Sequence, residues 1–590
     1  MANPGLTINV LDGNLNLQPG GNTQLMLYIG ACTLGIPNTL YTFSDSTTML
    51  QNFDAGKLVE GGGFGMTYAG GPTMFMPVAT SQRGGVGAVT KTGTGAGTVA
   101  VTIAPHRSVT VTCTTAGAIG TAAFTFTLGA TATLPAVTSA PVTSLAGWTS
   151  TGYNLPGTYV NIVFIAGSYI SVATPDIYTI STLGVVAHPQ GAGPAVPTFT
   201  ASPVDDYSVL VTIPTAGALG VAQFVYSLDN GETNLRGAGT NSSAVLVPAG
   251  GVYAIPYTGL VLTFASTFTT DNTYTFKSAG PSSSPADLTA AYTALQTTFL
   301  NQAIYSMVTV FNTYASVAAW ATAAAAAEAF VSTMNGLGVY VRVINEVPTL
   351  GTVSGNAGSI TVDVADTDSV VITARQGVSA PHVNGGAGDA LLYQPLSGLN
   401  LRRSAAFTAA MRSSKFEASR NIGDVSAGGV PGVIYLFRNE YATQALDAAG
   451  LTTMSQYPGV SGFYMTDAHT CTLATSDYYL WTNARVVDRA SQVCRLNGMQ
   501  LVNTKIPTTT RAGLPGCITE KSASKIEKKI NSALSTALVD SNPQDAVATN
   551  VIVTRTNNLL SSGNLIITGV VQPFGYARTI SFNVGLTVQV

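Results

Sequence analysis

Charge is what this 590-residue chain has least of: Asp, Glu, Lys and Arg together make up 9% of it, against about 25% in an ordinary soluble protein. So little charge on so long a chain implies that much of its exterior is covered by partners. The formal net charge of -3 is too small to draw in nucleic acid or anionic lipid, and neither is expected as a partner. Cysteine is scarce too. Cys32, Cys113, Cys471, Cys494 and Cys517 are odd in number and lack Cys-x-x-Cys spacing, which argues against a disulfide framework and a zinc site and leaves buried thiols. The histidines His106, His188, His382 and His469 form no His-x-x-x-His pair, and no Gly-x-Ser-x-Gly elbow occurs. Asp467, His469 and Cys471 are close in sequence, but neighbours that close on an extended segment do not make a triad. No catalytic residue, metal site or cofactor is expected.

Other signals are missing as well. The first residues, Met-Ala-Asn-Pro-Gly-Leu, have no basic segment followed by an apolar run, so folding in the cytoplasm of the producing cell is expected. The most apolar stretch, Ala315 to Val331, reads as an alanine-rich helix carrying Glu328, shorter than the roughly 20 apolar residues that span a bilayer. No membrane insertion is expected, and Ala321 to Ala327 would let that helix pack close to a sheet. The Gly-rich segment from Gly61 to Gly71 lacks both phosphate-loop spacings and reads as a flexible connection into an insertion.

What is present is a pattern of short strands, helices and one internal repeat, on a chain long enough for three or four domains. Strands are expected at Leu25 to Ile29, Leu40 to Phe43, Tyr305 to Phe311, Gly338 to Ile344, Ser369 to Thr373, Gly462 to Thr466 and Leu565 to Val571. Ser44 should cap a short helix bearing Met49, Leu50 and Phe53, and Ser284 with Pro285 should open one bearing Leu288, Tyr292, Leu295 and Phe299. Ser404 to Arg412 reads as a further helix. Ser108 to Leu128 and Ser208 to Leu228 agree at more than half their positions, including Thr-Ala-Gly-Ala, and each copy closes on a similar strand, Asp176 to Ile180 and Asn272 to Phe276. Alternating Val/Thr/Tyr-rich segments between these marks predict two tandem β-sandwich domains, over 86–190 and 191–282. The flanking parts, 1–85, 283–455 and 456–590, read as an α/β core in three stretches, for a multidomain α+β and α/β chain.

Two strongly alternating strands stand at the chain ends. Leu6, Ile8 and Val10 alternate with Thr7 and Asn9, while Ile580, Phe582, Val584, Leu586, Val588 and Val590 alternate with Ser581, Asn583, Gly585, Thr587 and Gln589. A bare terminal strand is a polymerisation hazard unless it is meant to pair with another copy. Between them, Ile518 to Val539 reads as a long helix with Ile526, Ile530, Leu534 and Leu538 on one stripe. Lys521, Lys525 and Lys528 line another side, either as a solvated face partnered by Glu520 and Glu527 or as a docking row.

The stretch from Pro458 to Gln500 carries a resemblance. A strand and polar turn lead to Ser476 and Asp477 as caps of a helix whose stripe is Tyr479, Val486, Val487, Ala490, Val493 and Cys494, stopped by Asn497 and Gly498. Asp467, Ser476-Asp477-Tyr478 and the run from Arg485 to Ala490 resemble, in order, the C-terminal domain of contractile tail sheath proteins. The N-terminal order of strand, Gly-rich loop, Pro-Asn, strand and short helix is similar to the start of that family. The resemblance implies a sheath-type core with the two sandwiches inserted and terminal strand arms that complete a sheet in neighbouring subunits. It also implies rings of six stacked into a sleeve around a tail tube, baseplate and tail terminator partners, a place in a virion tail, and a tube-facing role for Lys521, Lys525 and Lys528. A β-rich adhesive or surface-layer protein binding glycans through its repeats is the other reading.

Overall fold

The computed structural model describes residues 25–577, apart from 71–72, 131–134, 156–158, 172–173, 191–196, 232–242, 303–304, 315, 349–352, 357, 364–367 and 511–512. The arms expected at Leu6, Ile8 and Val10 and at Ile580, Phe582, Val584, Leu586 and Val588 lie outside the described residues.

The core is a six-stranded sheet of β1 (Leu25–Gly30), β2 (Tyr41–Phe43), β3 (Thr73–Pro77), β4 (Tyr305–Phe311), β5 (Arg342–Glu346) and β6 (Val383–Gly386), in the order β2-β3-β1-β4-β5-β6. Only the edge strand β2 runs antiparallel to its neighbour. A parallel sheet needs cover on both faces. Five helices give it: α1 (Ser46–Phe53), α2 (Lys57–Tyr68), α3 (Pro285–Gln302), α4 (Val317–Gly336) and α5 (Ala405–Lys415). Alternation sorts the strands, so that Leu27, Ile29, Met74, Met76, Val308 and Val310 face α3 and α4. Met26, Tyr28, Phe75, Met307 and Phe311 face α1, α2 and α5.

Ser284 caps α3 as expected, accepting from the Asp287 N–H at 3.3 Å while Asp287 accepts from the Ser284 N–H at 2.8 Å. Asp45, one residue beyond the expected Ser44, caps α1. The apolar helix α4 is 20 residues long, more than expected and enough in length to cross a bilayer. It packs instead on the core sheet, with Trp320, Ala323, Ala324, Ala327 and Phe330 in the shared core.

Three local expectations fail for tertiary reasons. The Gly-rich segment is no flexible connection, because most of it forms α2, buried along Gly61, Gly62, Gly63 and Gly65. A Cβ at these positions would lie 2.0 Å from Phe311, 2.2 Å from Phe75, 2.4 Å from Leu396 and 2.1 Å from Tyr28. Phe311, Phe75 and Tyr28 of the sheet, together with Leu396, fill the space that helix side chains would take. Ser369 to Thr373 is helical, within Asp368–Gln376, with Val371 in the core. The strand expected at Gly338 to Ile344 begins later, at Arg342.

The insertion leaves and rejoins the core at one point, where Gln82 and Ser282 exchange backbone hydrogen bonds of 3.1 and 3.0 Å. The repeat is real in three dimensions. Val109–Thr115 pairs with Ala123–Leu128 and Ile177–Ile180, and Tyr207–Thr215 pairs likewise with Gln223–Ser227 and Thr273–Ala279. Both copies break register at matching places, Cys113/Thr115 and Thr212/Thr215. Strand pairing, however, runs across the division at 190/191. Thr90–Thr92 and Thr98–Ile103, which precede the first copy, pair with Thr273–Ala279 and Leu260–Ala265 of the second. Thr198–Ala201, which precedes the second copy, pairs with Val160–Val163 of the first.

The C-terminal part holds α6 (Trp481–Met499), α7 (Glu520–Leu534) with a π-helical turn at Ser535–Val539, and a two-stranded antiparallel sheet of β7 (Ala548–Val553) and β8 (Ile567–Gln572). Val486, Ala490, Ile526, Ile530, Leu534 and Leu538 form its core as the stripes predict. Ser476 and Asp477 do not cap α6. The Ser476 hydroxyl accepts from the Tyr478 N–H in a separate turn, Leu480 is the residue before the helix, and Asn497 and Gly498 lie inside its last turn.

Candidate assembly surfaces

The charged residues of the Arg485 to Ala490 run are structural ties. Arg485 donates to the Ser413 and Phe416 carbonyls at 3.2 and 2.8 Å, and burial pulls its guanidinium down to about 10. Asp488 holds Arg342 of β5 at 2.5 Å, and Arg489 pairs with Asp545. One helix turn thereby fastens α6 to the core sheet, to the end of α5 and to the segment that leads into β7.

On α7 the side chains of Lys521, Lys525 and Lys528 are all exposed. Their expected local partners are taken. Arg555, just beyond β7, donates to Glu520 at 2.8 and 2.9 Å and to Glu527 at 2.9 Å, and these bonds hold both carboxyls below the usual range. With both acids engaged from the far side, the lysine face is left cationic.

The sheet of β7 and β8 has no third strand among the described residues, although the outward N–H and carbonyl of Val553 at the end of β7 are taken by Glu527 and Arg555, each at 2.7 Å. It also shows apolar side chains to solvent, with Ile552 at 50% and Val570 at 55% exposure. Exposed apolar groups on an open edge are what natural proteins avoid unless another strand covers them.

A buried ionic joint ties the insertion to the core. Lys57 of α2 lies 2.9 Å from Asp206 and 3.4 Å from Glu346, at the end of β5. Arg403 lies 2.8 Å from Glu60 and 2.7 Å from Asp205. Asp206 also accepts from the Thr313 hydroxyl and the Gly280 N–H, each at 2.7 Å, and Glu346 from the Asn312 N–H at 2.9 Å. Two cations thus serve four carboxylates. Burial pushes the Glu60 and Glu346 carboxyls above their usual range, whereas Asp206, against the same burial, is held low by Lys57 and Arg403. The first repeat has its own seat, with His106 at 3.0 Å and Arg107 at 3.8 Å from Asp54.

A sequence profile described as DUF2586, N-terminal domain, matches residues 4–469. The chain belongs to the DUF2586 family. No curated protein matches it. Solved structures similar to this DUF2586 chain include the sheath tail protein of Desulfitobacterium hafniense, at 10% identity and a TM-score of 0.37, covering 97% of this chain and 100% of that one. The sheath tail protein of Listeria innocua matches at 9% identity and a TM-score of 0.37, over 94% and 96%. A chain of the anti-feeding prophage baseplate matches at 12% identity and a TM-score of 0.34, over 53% and 76%.

In the DUF2586 chain, the lysine row and the β7–β8 sheet lie beyond the matched stretch. His469 is buried, 3.6 Å from Asp447 and stacked on Tyr479, while the Cys471 backbone pairs with Ala380. These are packing roles. The repeat aromatics Phe124, Phe126, Trp148, Tyr153 and Phe164 stack on one another inside the first sandwich, which takes them away from any sugar. Sequence reasoning missed the joint altogether. Its signal was there: in a chain this poor in charge, Lys57 beside Leu58 and Val59, Glu346 closing an apolar strand, and the Asp205-Asp206 doublet at a repeat boundary all stand in apolar surroundings.

Proposed function

We propose that the chain is the structural subunit of a contractile tail sheath, without enzymatic activity or a cofactor, located in the tail of a virion or injection device. The observation that carries this reading is the two-stranded sheet of β7 and β8, which has no third strand among the described residues and exposes apolar side chains, in a chain whose two ends alternate apolar and polar residues. Leu6, Ile8 and Val10 from one neighbour and Ile580, Phe582, Val584, Leu586 and Val588 from another would complete a four-stranded sheet by strand addition. A contact of that kind is head-to-tail, the geometry that builds helical arrays. Rings of six stacked into a sleeve around a tail tube, joined to baseplate and terminator proteins, follow from the sheath reading, as does contraction driven by repacking between subunits.

The lysine row on α7 fits an acidic tube surface, since Arg555 occupies the acids that would otherwise neutralise it. Truncation after Arg578 tests the reading. The expected product is a folded, soluble subunit that forms no sleeves in electron micrographs. Strand addition would supply on the order of six backbone hydrogen bonds at a net ~0.5 to 1.5 kcal/mol each. Loss of the circular-dichroism melting transition in the truncated chain would mean that the strand belongs to its own subunit, and sleeves of normal length would mean that it joins nothing.

A further inference from the structure

We infer that the first repeat is a separable module threaded through the second repeat and seated on Asp54 of the core, and that the second repeat depends on residues from both sides of it. The inference is independent of the sheath reading. Every strand of the first sandwich comes from 105–202, closing with Thr198–Ala201 on Val160–Val163. The second sandwich is split, because Thr98–Ile103 forms a six-residue pairing with Leu260–Ala265 from across the whole first copy. The two cores are separate clusters, one around Phe124 and Trp148, the other around Phe224 and Phe264.

The chain enters and leaves the first sandwich past one residue, Gly259. Ala104 donates to the Gly259 carbonyl at 3.0 Å, and Val204 donates to the Thr258 carbonyl at 2.9 Å. Gly259 sits at φ +74°, and a Cβ there would lie 3.1 Å from the Ala104 oxygen and 3.3 Å from the Ser202 oxygen. The two ends of the module therefore meet on a glycine that no other residue could replace without strain. Removing the module would leave Ala104 beside Val204, with the second sandwich still complete.

The core distinguishes the two copies by charge. Asp54, just after α1, takes the first through His106 and Arg107, while Lys57, at the start of α2, takes the second through Asp206. Positions 106 and 206 are equivalent in the repeat, so Asp206 stands where the first copy has His106 with Arg107 next to it, and each copy matches only its own seat. An acid would face Asp54 if they were exchanged, and a histidine or arginine would face Lys57.

Native-state hydrogen exchange on the full-length protein tests this. Trp148 is buried in the first core and stacks on Tyr153 at 4.3 Å, so Trp148→Ala should raise exchange by roughly 100-fold or more across 105–202, Thr198–Ala201 included. Thr98–Ile103 and Leu260–Ala265 should stay within about twofold of the parent. Phe264→Ala should open Thr98–Ile103 together with Leu260–Ala265. Asp54→Ala should loosen 105–202 alone, by a smaller factor. Should Trp148→Ala prove too disruptive for a folded protein, Ile162→Val probes the same core more gently. Exchange of Thr98–Ile103 in step with Val109–Thr115, or both sandwiches opening together in either variant, would overturn the inference.

Discussion

Arg403→Ala isolates the ionic joint. The guanidinium is the shared partner of Glu60 and Asp205 and sits beside Lys57 and Asp206. Its removal leaves buried carboxylates uncompensated, which in comparable sites costs about 3–5 kcal/mol. The cost should depend on pH. Glu60 and Glu346 are held above the usual carboxylate range, so the stability they contribute is complete below that range and is lost as the pH rises through their raised values. Asp206, held low, works the other way. Its contribution is complete above the usual range and disappears only in stronger acid. Without Arg403, Glu60 relies more heavily on a proton, and the deficit should be largest near pH 8 and shrink towards pH 5.5. Urea unfolding at both pH values, with hydrogen exchange of residues 205–209 as the local probe, reads this directly. A deficit below about 1 kcal/mol, or one equal at the two pH values, would refute the account of the joint as a desolvated, proton-dependent network.

Replacing Lys521, Lys525 and Lys528 together by Glu should leave the melting temperature near that of the parent, since all three are exposed, while abolishing co-sedimentation with tubes at low salt; unchanged sleeves would return the row to a solvated face. Gly61→Ala should destabilise the subunit by about 1–3 kcal/mol in chemical denaturation, because the new methyl would lie 2.0 Å from the Phe311 ring. Gly498→Ala, in α6 with nothing within 4 Å, should stabilise by up to about 1 kcal/mol through helix propensity alone. Joining Arg83 to Ser284 through a short linker should give a folded core, since Gln82 and Ser282 already touch, and sleeves that look thinner by electron microscopy.

Much of the core was legible because its signals are local. Ser284 and Pro285 announce α3, the stripe of Ile526, Ile530, Leu534 and Leu538 announces α7, and the strand Tyr305–Phe311 falls where its apolar run lies. The failures share one cause. Gly61 to Gly65 looks like a linker until Phe75, Phe311 and Tyr28 are placed against it, and Ser369 to Thr373 has β-branched residues that helix packing overrides. The internal similarity is strongest in strands that pair within a copy. Nothing in Thr98–Ile103 says that its partner lies beyond the next domain. The lysine row was visible as spacing, yet whether it was neutralised depended on Arg555, far along the chain.

The contact between Gln82 and Ser282 has a mechanical consequence. A pull transmitted through the core, from β1 towards β8, crosses from Gln82 to Ser282 through two hydrogen bonds and the adjoining sheet. It does not travel around the insertion. The second sandwich shares this crossing, because Thr273–Ala279 pairs with Gly85–Val86 and that strand with Gly358–Asp363, whereas the first sandwich lies off it. The first sandwich, whose ends meet at Gly259, is therefore the part that can grow, shrink or change its face with least effect on how force crosses the core.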